Sequence, residues 1–328
     1  MVAKKGPLVL GVDMGGTKIL TAVIDSAGTI LSSDYVATPA EGDYKEGVAA
    51  ILASLQRSLQ GAGLSLSNIS AVGLGIPGIS NPETGILFTS PHLPQWHNIP
   101  VRDLIENQTG LKTFLVNDAN AAAVGELAFG AARGACNFIY VTISTGIGGG
   151  IIINGELYTG TCGTAGEIGH MTIDDNGLLC NCGNRGCWET LASGTALARI
   201  ARERLVEGVQ SSILHHAGGK MENITAEIVH EAAVAGDRLA LQLIEQTGIY
   251  IGVGLVNLID VFNPECIVIG GGLAQIGDML LEPAFRIVKE RAYSENVRCL
   301  RLLKAELGGN SGVLGAAAYA LIKLNRPS

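Results

Sequence analysis

The residues best suited to chemistry crowd between Gly166 and Glu189, GEIGHMTIDDNGLLCNCGNRGCWE, where one histidine, three cysteines and two glutamates share twenty-four positions. Cys180, Cys182 and Cys187 are spaced C-x-C-x4-C, and His170 lies ten residues before the first of them. Three thiolates and an imidazole complete a tetrahedral zinc shell with no position left for water, which is the pattern of a structural metal rather than a catalytic one. Gly183 and Gly186 let the backbone turn tightly enough to aim three sulfurs at one point. The spacing differs from the C-x2-C of common zinc fingers. Three unpaired buried thiols are the plainer alternative, and a disulfide pair is the least favoured one. Glu167 stands three residues before His170 and Glu189 two after Cys187. Both carboxylates are therefore held on short leashes, and carboxylates so fixed accept hydrogen bonds from sugar hydroxyls.

Two glycine turns suggest a phosphate site. Leu8 to Val12 reads as a strand ending in Asp13-Met14-Gly15-Gly16-Thr17-Lys18, and Ile19 to Ile24 reads as its return. Strand, turn, strand is neither a Walker loop nor a dinucleotide fingerprint, both of which run from a strand into a helix. Successive Gly amides beside a Thr hydroxyl can still cradle phosphate oxygens, and Asp13 could hold Mg²⁺ through water. A plain hairpin turn remains the alternative. Phe138 to Ile143, the turn Ser144-Thr145-Gly146-Ile147-Gly148-Gly149-Gly150, and Ile151 to Asn154 repeat the arrangement. Two such hairpins suggest a duplicated fold that clamps phosphates between its halves.

Asp118, in Asn117-Asp118-Ala119-Asn120-Ala121-Ala122-Ala123, falls at a strand-to-helix junction. It can be a helix N-cap, or a general base that accepts a hydroxyl proton during phosphoryl transfer. Pro77-Gly78 after a strand allows close backbone approach. Gly270-Gly271-Gly272 after the strand Cys266 to Ile269 presents bare backbone on which an adenine could lie.

The run E-x-G-H followed by C-x-C-G-x-x-G-C-x-E resembles the signature of the ROK family of sugar kinases and sugar-responsive repressors. Supporting motifs extend the resemblance from about residue 8 to residue 315. It implies two ribonuclease H-like, actin-like ATPase domains of the α/β class with a cleft between them. It also implies transfer of the γ-phosphoryl of ATP to a hexose, foremost to the 6-OH of glucose. Asp118 would be the base, and Gly78, Asn117, Glu167, His170 and Glu189 would hold the sugar. Asp13, Gly15, Gly16, Thr17, Lys18, Thr145 and Gly146 would hold Mg-ATP, and Gly271 and Gly272 would face the nucleoside. His170, Cys180, Cys182 and Cys187 would bind structural Zn²⁺, with one His170 nitrogen on the metal and the other toward the sugar. A homodimer is implied as well. Sister kinases for fructose, mannose, N-acetylglucosamine or N-acetylmannosamine share this shell, and polyphosphate could replace ATP. A repressor would need a helix-turn-helix ahead of the first strand, where only seven residues precede Leu8.

The elements that must position these groups alternate between strands and helices. A helix is expected from Asp43 to Leu59, a long loop with His92, Trp96 and His97 over 80–100, and helices from Ser193 to about Val206, Ala226 to Ala235 and Asp237 to about Phe262. A polar connection is expected over 207–224, with His215 and His216 outside any metal role. A helix from Asp278 to Ala292, a strand from Arg298 to Lys304 and a closing helix from Gly312 to Leu324 complete the chain. The domains are expected at about 1–118, joined by 311–328, and 119–310 with the zinc loop.

The 328 residues are 47% hydrophobic and 16% charged with a net charge of −8, enough apolar material for a large core. The absence of a basic block argues against nucleic acid or an anionic membrane as partner. MVAKKGPLVL leads straight into a strand rather than a secretory signal. The uncharged run Gly134 to Gly155 breaks at STGIGGG, as a turn does and a membrane span does not. Cys136, Cys162, Cys266 and Cys299 are expected to be small buried hydrophobes, and a reducing cytoplasm the compartment.

Overall fold

The computed structural model describes residues 6–325. The chain forms, in order, β1 (Leu8–Met14), β2 (Lys18–Ile24), β3 (Ile30–Ala37), α1 (Tyr44–Gly61), β4 (Ile69–Ile76), β5 (Ile79–Asn81), β6 (Ile86–Thr89), α2 (Val101–Thr109), β7 (Thr113–Asn117) and α3 (Asp118–Ala128). There follow β8 (Phe138–Ile143), β9 (Ile147–Ile153), β10 (Glu156–Leu157), α4 (Glu189–Ala192), α5 (Gly194–Val206), α6 (Ile213–His216), α7 (Ala226–Val234) and α8 (Arg238–Phe262). The chain closes with β11 (Cys266–Gly270), α9 (Asp278–Arg291), α10 (Ser294–Cys299), β12 (Arg301–Lys304) and α11 (Ser311–Leu324).

Two five-stranded sheets have the same plan. The first is ordered β3-β2-β1-β4-β7 and the second β10-β9-β8-β11-β12. In the first, β1, β2 and β3 form an antiparallel meander, and β4 and β7 add parallel strands. In the second, β9 and β10 are antiparallel and β11 and β12 parallel. The repetition of one plan in both sheets is what the paired glycine hairpins foreshadow. The chain divides into two compact units: Met1–Tyr140 with Gly150–Gly166 and Ala305–Ser328, and Val141–Gly149 with Glu167–Lys304. The division falls within β8 and β9, whereas the sequence expectation placed a boundary at 118/119.

In the first unit, both faces of the first sheet are covered. Leu10, Val12, Ile19, Val23, Val72 and Leu74 meet Val48, Ile51 and Leu55 of α1 on one side. Val9, Ala22, Ile24 and Ala71 meet Val313, Leu314, Ala317 and Ala320 of α11 on the other. Asp43 caps α1 by accepting from the Lys45 and Glu46 amides. The 80–100 segment is more ordered than the expected loop. β5 and β6 form a two-stranded sheet within it, and Trp96 is fully buried in the core against α1 at Gly47. Glu126, also fully buried, accepts from the Ala131, Glu306 and Leu307 amides and the Ser311 hydroxyl, tying residues 306–311 to α3.

In the second unit, α8 is long and apolar enough to cross a membrane by length and composition. Its Leu243, Ile244, Ile251, Leu255 and Leu258 are instead buried inside the protein. Residues 207–224 contain α6 rather than only an irregular connection, and the expected strand from Arg298 begins at Arg301, because α10 holds Ser294–Cys299. Of the four cysteines expected to be buried, only Cys266 is; Cys136, Cys162 and Cys299 are exposed. Cys136 and Cys162 lie in turns and bends, and Cys299 ends α10, none of whose residues is buried, so nothing drives those thiols inward.

Candidate functional site

The first unit gathers one set of expected groups. Asp13 is the next-to-last residue of β1, and the turn after the strand is closed by the Gly15 amide donating to the Lys18 carbonyl at 2.8 Å. The Thr38 hydroxyl donates to the Gly15 carbonyl at 2.8 Å, which fixes the turn from β3's side. Asn117, not Asp118, caps α3: its Oδ1 accepts from the Ala119 and Asn120 amides at 3.0 and 3.2 Å. The capping alternative for Asp118 therefore falls away, and its carboxylate is left for another use. The Asn117 Nδ2 donates to the Gly78 carbonyl at 3.3 Å. Gly78 holds φ +115°, where a side chain would be strained and would strike Thr89 and Ser90.

Electrostatics mark the same pair of carboxylates. Burial, then the charge of Asp118, pushes the Asp13 pKa up to about 6, against the pull of Lys18. Burial also raises Asp118, opposed by the Ala119 amide and by His92. A buried acid raised further by a neighbouring carboxylate marks a natural place for a divalent cation and for a proton-accepting group. Gly312, at the start of α11, lies against the Asp13 carboxylate so closely that a Cβ there would fall 2.5–2.7 Å from it.

The second unit gathers the other set. The ligand atoms of His170, Cys180, Cys182 and Cys187 all lie within 4.8 Å of one another. Cys182 Sγ is 3.6 Å from Cys187 Sγ, and Cys180 Sγ is 3.7 Å from His170 Nδ1. A tetrahedron with metal–sulfur bonds of about 2.3 Å has edges of about 3.7 Å, so these four groups fit one metal ion. A disulfide would need about 2.0 Å. Burial pushes the Cys180 thiol up to about 12 and raises that of Cys187, while the Asn184 amide helps lower that of Cys182. The cluster thus needs a cation before all three sulfurs ionise.

His170 faces two ways. Its Nδ1 is on the thiol side, 3.5 Å from Glu189 Oε1, and its Nε2 is 3.9 Å from Glu167 Oε2. Glu189 Oε1 also accepts from the Cys180 thiol at 3.3 Å, and its Oε2 lies beside Gly146, 2.8 Å from where a Cβ would stand. Trp188, between the last cysteine and Glu189, is fully buried, donates from Nε1 to the Tyr250 carbonyl at 2.8 Å and lies on the bare backbone of Gly254. It pins the metal loop to α8. The sequence reading passed over Trp188, although an aromatic between two site residues was the available signal.

Beside this set, the second unit holds a cavity of about 550 Å³ lined by Ser144, Thr145, Gly194, Thr195, Ala198 and Gly272. Its size suits a small-molecule site. Thr145 is held there by its carbonyl, which accepts from the Thr195 amide at 3.3 Å, and Ser193 caps α5 through the Ala196 amide. Gly271, at φ +91°, lies against the Ile143 backbone rather than on the cavity wall. The expected groups therefore form two clusters: Asp13, Gly15 to Lys18, Gly78, Asn117 and Asp118 in one unit, and Thr145, Gly146, Glu167, His170, the three cysteines, Glu189 and Gly272 in the other. His92 joins the first cluster and was set down from sequence only as a loop histidine.

Two sheets of identical strand order, each opening on a hairpin with a glycine turn, define the actin-like ATPase class of two-domain proteins. Within that class the chain belongs to the ROK family, whose pattern matches residues 9–323. It is 36% identical over 310 residues to the glucokinase of Thermotoga maritima, covering 94% of this chain and 96% of that one. A ROK family glucokinase from Streptomyces griseus, crystallised with glucose and AMPPNP, superposes with a TM-score of 0.82 at 36% identity, covering 96% of this chain and 99% of the other. The xylose repressor of Bacillus subtilis is 33% identical, over 97% of this chain and 78% of the repressor.

Proposed function

We propose that this chain transfers the γ-phosphoryl group of ATP to the 6-hydroxyl of glucose. It is a hexose kinase by its similarity to glucokinases along nearly its whole length. The observation that carries the assignment of roles is the uncapped Asp118 at the start of α3, electrostatically linked to Asp13 at the glycine turn. In this reading the Asp118 carboxylate accepts the hydroxyl proton as the sugar oxygen bonds to the γ-phosphorus. The bond from that phosphorus to the β,γ-bridging oxygen breaks, and ADP leaves with the electron pair. Asp13 orders the Mg²⁺ that shields the phosphates when bound, and Gly15, Gly16, Thr17 and Lys18, with Thr145 and Gly146, contact the phosphate chain. Gly272 and the cavity around Ala198 take the nucleoside.

Glu167, His170 and Glu189 hold the sugar, joined by Gly78 and the Nδ2 of Asn117. The Asn117 Oδ1 is committed to the α3 cap, so the residue acts through its amide N–H groups. Zinc is the metal best matched to three cysteines and one histidine. Its role is to lock His170 and Glu189 in direction: supported by Nδ1 on the thiol side, Nε2 is left for a sugar hydroxyl. The protein acts in the cytoplasm as a homodimer, without nucleic acid or membrane.

A coupled ADP-release assay over glucose, fructose, mannose, N-acetylglucosamine and N-acetylmannosamine, with ATP or polyphosphate as donor, tests the reading. Glucose with ATP should give the highest kcat/KM, and Asp118→Asn should lower turnover about 10²–10⁴-fold with glucose binding retained. Undiminished turnover in that variant would remove Asp118 from the role of base.

A further inference from the structure

His92 occupies a place that the roles above leave out. Its ring lies on the phosphate turn: a Cβ built on Gly16 would fall 3.0 Å from His92 Cβ, 3.1 Å from Cγ and 3.3 Å from Nδ1. The same residue acts electrostatically on Asp118. A group in contact with the turn that holds the transferred phosphate, and within the field of the base that receives the proton, stands beside the path between them. All three residues belong to the first unit.

The position is fixed rather than incidental. The His92 amide donates to the Ser90 hydroxyl at 3.3 Å, the Leu93 amide to the Ser90 carbonyl at 3.3 Å, and the Trp96 amide to the Leu93 carbonyl at 2.9 Å. Leu93 and Trp96, which follow His92, are both fully buried and anchor the segment. The ring nitrogens of His92 nevertheless make no hydrogen bond to any described protein group, and the residue is exposed. A held loop that sets an exposed imidazole against a glycine turn leaves the ring nitrogens free to meet a ligand bound at that turn. His97, five residues on, shares the exposure but has neither contact.

We propose that His92 is a catalytic residue that donates a hydrogen bond from its imidazole to a non-bridging oxygen of the phosphoryl group in transit from the Gly15-Gly16-Thr17 turn to the hydroxyl beside Asp118. The inference rests on the kinase reading. No proton moves from His92 in the step: the hydroxyl proton goes to Asp118, the new P–O bond forms to the sugar oxygen, and ADP carries away the electrons of the broken bond. The imidazole contributes only where charge accumulates on the equatorial oxygens, so its effect belongs to the transition state rather than to either substrate.

The test uses His92→Asn and His92→Ala in the full chain. Because the side chain is exposed, both should melt as the parent does. His92→Ala should lower kcat about 10–100-fold with the KM values for glucose and ATP within about threefold, the pattern of a donor lost only from the transition state. His92→Asn, which keeps a neutral donor, should recover part of the loss. Calorimetry with ADP, aluminium fluoride and glucose, which together mimic the planar phosphoryl group, should show a similar fold loss in affinity, while ADP and glucose bind separately as before. A kcat within threefold of the parent, a loss confined to either KM, or undiminished affinity for the fluoride complex would overturn the assignment. A parent protein inactive on every hexose would sink the kinase reading as well, whereas an active parent with unaffected His92 variants would sink this inference alone.

Discussion

Replacing Asp13 with Asn should make the protein more stable and disable it. Asp13 is half-buried at the end of β1, close to Asp118 and against the backbone of Gly312. Burial first, and then the Asp118 charge, lift its pKa from 3.8 to about 6, with Lys18 only partly offsetting them. At about 1.4 kcal/mol per pKa unit, that rise corresponds to at most about 3 kcal/mol, and contact with solvent reduces it to a working figure of about 2 kcal/mol. The sign follows from the direction. A raised acid binds its proton more tightly folded than unfolded, so its contribution to stability is complete below pH 3.8 and is lost as the pH climbs through about 6. The amide carries no charge and escapes this loss. Urea unfolding in Mg²⁺-free buffer should therefore find parent and Asp13→Asn similar near pH 4. The variant should become steadily the more stable of the two, by about 2 kcal/mol at pH 8. Mg-ATP-dependent turnover should collapse in the same variant. A difference that does not depend on pH, or a less stable variant at pH 8, would refute the electrostatic account of this corner.

Three other perturbations probe separate parts of the molecule. Cys182→Ala removes one of four ligands, so metal analysis should find the ion lost and calorimetry should find glucose bound at least about tenfold more weakly, with an ATP analogue bound nearly as before; intact sugar affinity would detach the metal from sugar recognition. Glu126→Ala strips the acceptor from three backbone amides and a hydroxyl, and should cost about 3 kcal/mol or more in urea unfolding, whereas a loss below about 1 kcal/mol would show that those donors find water. Ala198→Leu extends a side chain into the 550 Å³ cavity and should weaken ATP binding about tenfold, near 1.4 kcal/mol, without changing glucose affinity; unchanged ATP affinity would place the nucleoside elsewhere.

Much of the site was legible because its chemistry is local. The ligands of the metal cluster lie within eighteen residues, His170 to Cys187, and such short tethers leave few ways to arrange them. The glycine turns were legible for a similar reason: β1–β2 and β8–β9 are hairpins, whose partners are neighbours in sequence. What was missed depended on distant partners. Trp96 read as a loop residue because the Gly47 surface that receives it lies nearly fifty residues away. His92 could not be tied to Gly16 or Asp118 by spacing. The role of Asn117 as cap rested on one residue of register, and only backbone geometry decides which side chain of an Asn-Asp pair turns back on the helix. The strand expected from Arg298 starts only at Arg301, because the Tyr293 amide donates to Asp260 of α8 and a helical turn over Ser294–Cys299 follows.

The helix that seals one face of the first sheet is translated long after the strands it covers. Val9, Ala22, Ile24 and Ala71 leave the ribosome well before Val313, Leu314, Ala317 and Ala320, which cover them. During synthesis that face must stay bare while the residues between its strands and α11 are made. That face of the sheet thus stays adhesive until α11 arrives, exposed to the wrong partners that bare apolar surface attracts.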